Sequence, residues 1–180
     1  MNDARSASPS HHIDAEYALQ QNPHDHKSEL RLWLRLLTCA NLIEAEIRKR
    51  LREQFDTTLP RFDLMAQLDR AENGILLGEL SQRMMVSNGN VTGLVERLVQ
   101  EGLIERQVTE HDRRAVRVRM TEQGRAAFSE MAAAHGDWIS EMLGELSETD
   151  RERLWGRLGN LKKSVRNALG DKKSGRSAGK

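Results

Sequence analysis

Residues 77–124, LGELSQRMMVSNGNVTGLVERLVQEGLIERQVTEHDRRAVRVRMTEQG, decide the fold of this 180-residue chain. Leu77, Leu80 and Met84 recur at helical spacing and give a short helix over 77–84 one inward stripe. Val86-Ser87 interrupts it. Ser87 then caps a second helix that runs to about Gln100, with Val91, Leu94, Val95 and Leu98 inward, and Gly102 ends it. From there the period changes. Leu103 to Arg106 and Ala115 to Met120 alternate or carry β-branched residues, Val116 and Val118 interleaving with Arg117 and Arg119, as in a two-stranded ribbon. The polar stretch Thr109 to Arg114 joins them without an Asn-Gly or Asp-Gly turn, so a loop longer than two residues is expected.

The flanks are helical. Leu30 to about Glu53 carries two overlapping apolar stripes, which implies burial on more than one side. Thr57-Thr58-Leu59-Pro60 offers a cap and an early proline to a helix over about 60–70, with Phe62, Met65 and Leu68 inward. Asn73-Gly74 reads as a turn. Beyond the ribbon, a helix over about 121–144 places Phe128, Met131, His135 and Met142 at helical spacing. A last helix, about 147–169, is capped by Ser147 with Asp150 three residues on. Its Leu154, Leu158, Leu161 and Val165 step as a short heptad seam suited to a partner helix.

Residues 1–27 are polar and patternless and are expected to form a flexible arm. They hold four of the six His, and His24-x-His26 lacks the carboxylate or thiolate framework of a metal site. Residues 170–180, with Lys172, Lys173, Arg176 and Lys180, are expected to form a basic flexible tail. Lys and Arg number 28 against 27 Asp and Glu, so no global basic field exists and any nucleic-acid contact must rest on local charge. No apolar run approaches a membrane span, no secretory signal is visible, and the single cysteine, Cys39, rules out a disulfide framework, which points to the cytoplasm. No G-x-S-x-G, glycine-rich phosphate loop or H-E-x-x-H is present, so neither catalysis nor a cofactor is expected.

Helix, turn, helix and ribbon in that order make a mainly α fold with a small β-wing, a winged helix-turn-helix between terminal dimerisation helices. The second helix of such a pair offers its polar face to the major groove of double-stranded DNA. The candidates here are Ser87, Asn88, Asn90, Thr92 and Arg97. Asn pairs bidentately with adenine, Arg with guanine, and Thr meets a thymine methyl or a phosphate. The charged turn adds Arg113 and Arg114, residues suited to narrow minor grooves and to phosphates. Gly89 and Gly93 strain this reading, since each costs about 1 kcal/mol against alanine inside a helix. Either the helix starts later than Asn88, or the small residues permit close approach to DNA or to the preceding helix.

Residues 77–124 resemble the MarR (multiple antibiotic resistance regulator) family of bacterial transcription factors. They share its Val-Ser turn, its VT-x-x-V-x-x-L helix (Val91, Thr92, Val95, Leu98), its Gly102-Leu103 junction, and its wing signature D-x-R-x-x-x-V-x-[LM]-T at Asp112, Arg114, Val118, Met120 and Thr121, followed by Gly124. With the flanking helices the resemblance spans about 28–169. It implies a regulator, with a repressor as the expectation, that binds a pseudo-palindromic operator as a homodimer. Arg114 would enter the minor groove with Asp112 orienting it or a neighbouring arginine. Residues 28–58 and 121–169 would form the dimerisation region, with Leu154, Leu158, Leu161 and Val165 in its seam, and 59–120 the DNA-binding lobe.

The resemblance also implies a small-molecule effector, its lining drawn from Trp33, Leu37 and Asn41 of the first helix, Phe62 and Met65 of the second, and His135. The stretches LRLWLRLLTCANLIEAEIRKRL and DTTLPRFDLMAQLDRA are similar to a branch controlling breakdown of aromatic acids, often through their CoA thioesters. Arg31 and Arg35, or the cluster Arg48, Lys49, Arg50 and Arg52, would meet the CoA phosphates. The alternative is a constitutive dimeric DNA binder without effector. Cys39, among Leu36, Leu37, Ala40 and Ile43, is expected to be a buried, inert thiol.

Overall fold

A computed structural model of the chain describes residues 28–174 except Glu72, Glu110 and His111. The order is α1 (Ser28–Phe55), α2 (Leu59–Asp69), β1 (Ile75–Leu76), α3 (Leu77–Met84), α4 (Asn88–Gln100), β2 (Ile104–Thr109), β3 (Asp112–Met120), α5 (Glu122–Met142) and α6 (Glu148–Ser174). The described residues fall into two compact units, divided between Trp138 and Ile139.

The core of the first unit is built from the inward stripes read from the sequence. Leu51, Leu64, Met65, Leu68, Leu80, Val91, Val95 and Leu98 are all buried, and Ile75, Ile104 and Val118 of the sheet close over them. β3 lies in the middle of a three-stranded antiparallel sheet of order β1-β3-β2. The register pairs Ile75 with Val118 and Ile104 with Met120. β1 has only two residues, too few for any period to mark it in the sequence. Arg117 fastens it: its guanidinium donates to the carbonyl oxygens of Gly74 at 2.9 Å and Asn73 at 3.4 Å.

The ribbon differs from the expected long loop. Its regular ladder ends at Val108 opposite Val116, yet Thr109 still pairs with Asp112, so β3 takes four residues where β2 takes one. The charged stretch is thus absorbed as an irregular end to β3, with the strands separated by residues 110–111.

The joint between the ribbon and α5 explains part of the wing signature. Gly102, at φ +74°, closes α4: the Leu103 N–H donates to Leu98 O and the Gly102 N–H to Val99 O. Thr121 Oγ1 donates to Gly102 O at 2.7 Å and accepts from the Gly124 N–H at 2.9 Å. A Cβ on Gly124 would lie 1.8 Å from Leu103 O, so only glycine lets α5 start against that backbone. Thr121 and Gly124 are structural.

In the second unit, Ser147 caps α6 as read: Asp150 N–H donates to Ser147 Oγ at 3.1 Å, and Oγ donates back to Asp150 Oδ2 at 2.7 Å. α6 runs past Gly170 to Ser174, further than the expected end near 169. In the first unit, Thr58 stands at the N-cap of α2 without a side-chain cap bond, and Pro60 supplies the early proline.

Candidate nucleic-acid interface

α3 ends on Met85, a non-glycine residue in the left-handed region at φ +55°, whose N–H donates back to Ser81 and Gln82 carbonyls. Two residues later Ser87 caps α4, accepting from the Asn90 N–H at 3.4 Å. α4 therefore begins where the sequence places it, at Asn88, and includes both glycines. A Cβ on Gly89 or Gly93 would meet nothing within 4 Å, so neither serves packing on α3.

Val91, Val95 and Leu98 anchor α4 to the core, which turns Gly89, Asn90, Glu96 and Arg97 to solvent. Thr92 is half-buried, at the edge of that face rather than on it. Glu96 is held by Arg106 of β2 at 3.7 Å, a strap between helix and ribbon. Arg119 pairs with Glu105 directly across the ladder. With Arg117 tied to the 73–74 turn, three of the five ribbon arginines serve the ribbon itself. The backbone of β3 carries Asp112, Arg113 and Arg114 into its irregular end, beside the loop. The side chains of Asn88, Asp112, Arg113 and Arg114 lie outside the described residues, and so do the arm and His24-x-His26.

Met85 escaped sequence reasoning. Its side chain is 93% exposed and Val86 beside it is exposed too, so an apolar knob stands at the turn next to Ser87. A methionine at helical spacing gives no sign that the backbone has already left the helix.

The candidate effector residues fall into groups. Phe62 and His135 meet, ring centroids 5.0 Å apart, and Phe62 also lies 5.5 Å from Phe128. Met65, one turn after Phe62 on α2, is buried in the core and lines a separate cavity with Arg61. Arg31, Trp33, Arg35 and Asn41 are exposed on the first half of α1, and Leu37 is half-buried there. The basic cluster further along α1 is partly engaged: Arg48 pairs with Glu44, and Arg50 pairs with Glu46 at 2.6 Å and lies 6.0 Å from the Trp138 ring centroid. Those two arginines brace the helix.

Asp63, next to Phe62, is a group the sequence did not flag. Desolvation by its surroundings pushes its carboxyl above the ordinary 3.8, Glu44 adding to the rise while Arg48 and His135 pull against it. An isolated acid in an amphipathic helix carries no signal of such a neighbourhood.

One correction concerns α1. Cys39 is exposed, not buried, because it lies on an α1 face whose Leu42 and Trp33 are exposed as well. Leu154, Leu158 and Val165 of the heptad seam are exposed and Leu161 is half-buried. Among the described residues no group of three or more His, Cys, Asp or Glu could hold a metal ion, and no helix is long and apolar enough to cross a membrane.

Comparison with known proteins fits this geometry. The sequence pattern of the MarR family matches residues 55–115. The transcriptional activatory protein BadR of Rhodopseudomonas palustris is 34% identical over 134 residues, which span 72% of this chain and 76% of that protein. The crystal structure of a MarR family transcriptional regulator from Silicibacter pomeroyi superposes with a TM-score of 0.65 at 30% identity, covering 81% of this chain and 96% of that one. Streptococcus pneumoniae FabT in complex with DNA shares the fold at 22% identity and a TM-score of 0.66, over 78% of this chain and 99% of its own.

Proposed function

The chain belongs to the MarR family of DNA-binding transcription regulators and is not an enzyme; from that premise we propose that it grips a pseudo-palindromic operator as a homodimer and is released by a small aromatic acid or its CoA thioester. The observation that carries the reading is α4. Val91, Val95 and Leu98 are wholly buried, while Asn90 of its capped first turn and Arg97 of its last turn are exposed. A helix held in that way by its neighbours can enter a major groove without losing its own packing.

In this reading Ser87, Asn88, Asn90, Thr92 and Arg97 face the major groove. Arg113 and Arg114 reach the minor groove or the phosphates, with Asp112 orienting them. Two-fold symmetry sets the half-sites about 10 bp apart, one helical turn. The protomers join through the apolar faces of α1 and α6, whose exposed Trp33, Leu42, Leu154, Leu158 and Val165 support an interface. The lobe is residues 59–120, and the dimerisation region 28–58 and 121–169.

The effector enters by Phe62 and His135, the two candidates in contact, and reaches Met65 behind them. Trp33, Leu37 and Asn41 complete the lining, and Arg31 or Arg35 takes the anionic end. Because Phe62 and Met65 are buried in the free chain, an aromatic ring must part them. A ligand that favours the parted arrangement lowers DNA affinity by its difference in affinity for the two arrangements, typically about 1–3 kcal/mol. The proposed action is repression, although one relative is named an activator.

Band-shift of the DNA flanking the chain's own gene tests this, with unrelated DNA as competitor and with hits from a thermal-shift screen of aromatic acids and their CoA thioesters. A shift that resists competitor and fades with a hit is the expected result. A shift abolished by competitor, or indifferent to every compound, would leave a constitutive binder. Release by free acids alone would remove the thioester from the account and keep the sensor.

A further inference from the structure

One cavity stands apart from the face of α4 and from the Phe62–His135 contact. It has a volume of 310 Å³, and Phe55, Met65, Leu103 and Met131 supply its apolar walls. Three carboxylates share the lining, Asp56, Glu101 and Glu130, against a single cation, Arg61. Arg61 Nη2 pairs with Glu101, which joins α2 to the end of α4 and balances its charge, while the buried Arg61 Nε has no hydrogen-bond partner. Among the described residues neither Asp56 nor Glu130 has an ion-pair partner. Met65 and Met131 are buried while Asp56 and Glu130 are exposed, so the cavity is apolar inside and negative at its mouth.

From this arrangement we propose that the cavity binds a small organic cation with an apolar body, of the arylalkylamine class. The ammonium meets Asp56 and Glu130, and the ring lies on Phe55, Leu103 and Met131. Charge decides the class. The only cation present is neutralised by Glu101, so a carboxylate ligand would face two uncompensated acids beside a low-dielectric wall, where like charges repel strongly. The volume is at the lower end of the range of about 300–1,000 Å³ for small-molecule sites, which suits one ring and a short chain. The site thus has the opposite charge preference from the one proposed for the aromatic acid and shares only Met65 with it.

Calorimetric titration of the full chain without DNA separates this inference from the DNA-binding reading. The probes are benzylamine, benzyl alcohol and benzoate at neutral pH. Benzylamine is expected to bind once per protomer, at least about fivefold more tightly than the alcohol, the ratio that about 1 kcal/mol of charge attraction gives at a wet protein surface. Benzoate is expected not to bind at this site. Glu130→Gln and Asp56→Asn should each weaken benzylamine severalfold. Both positions are exposed, and Asn is well suited to the left-handed backbone of Asp56 at φ +46°, so thermal melting should confirm an intact fold. Absence of benzylamine binding, equal affinity for the alcohol, or unchanged affinity in both carboxylate variants would overturn the proposal. Benzoate binding that Glu130→Gln strengthens would also overturn it.

Discussion

α4 and α6 are both amphipathic in sequence, yet a single chain covers only one of them. Val91, Val95 and Leu98 of α4 are 0% exposed, whereas Leu154, Leu158 and Val165 of α6 are 44%, 38% and 49% exposed. The first half of α1 resembles α6 in this respect, with Trp33 at 56%. Fully burying such a side chain stabilises by about 1.5–3 kcal/mol, so several left half in water are worth covering. The difference separates two tasks. α4 is finished by its own chain and has a polar, glycine-bearing face to spare for DNA. In the proposed dimer, α6 and the start of α1 keep their apolar faces for a second copy.

The largest effect should come from breaking the unfinished side. Leu154→Glu with Leu158→Glu is expected to yield a helical monomer that has lost nearly all operator affinity, as read by light scattering and band-shift. A double variant that stayed dimeric would move the interface away from α6. The finished side answers to the wing. Arg114→Ala should weaken operator binding by about 1–3 kcal/mol while leaving melting unchanged. Unchanged affinity would refute the wing assignment.

Smaller and more discriminating is the pair Gly89→Ala and Gly93→Ala. Since a Cβ at either position meets open space, each should stabilise the free protein by up to about 1 kcal/mol through helix propensity alone. Each should weaken DNA binding if the groove needs the room. A variant both more stable and tighter on DNA would show that the glycines are not there for close approach.

The smallest effect concerns Asp63. Its carboxyl binds a proton more tightly folded than unfolded, so this group lowers stability as pH rises from the ordinary 3.8 through its raised value. Asp63→Asn should therefore raise the melting temperature slightly at pH 7, and the gain should vanish below pH 3.8. A gain that persisted there would point to packing.

Legibility in the sequence followed the same division. Where a helix packs on its own chain, its stripe, cap and stop were readable: Ser87, Gly102 and Ser147 act as their types suggest, and α3 has the boundaries its spacing implies. The two-residue β1 was invisible because no period fits in two residues. The wing loop was misjudged because turn rules describe regular hairpins, and β3 makes room for three extra residues instead. Nor does alternation on a strand reveal that Arg117 bonds to Gly74. Cys39 was misplaced for the reason that sets α6 apart: apolar neighbours in sequence do not bury a residue unless something covers the helix.

The central claim is that one half of this molecule is completed by its own chain and the other by a second copy on DNA. Sedimentation equilibrium of the full chain at micromolar concentration, alone and with a duplex carrying the inverted repeat it protects, tests this most directly. The account predicts a dimer throughout, and two protomers per duplex with half-sites about 10 bp apart. A stable monomer in solution, or a single protomer saturating the duplex, would contradict it.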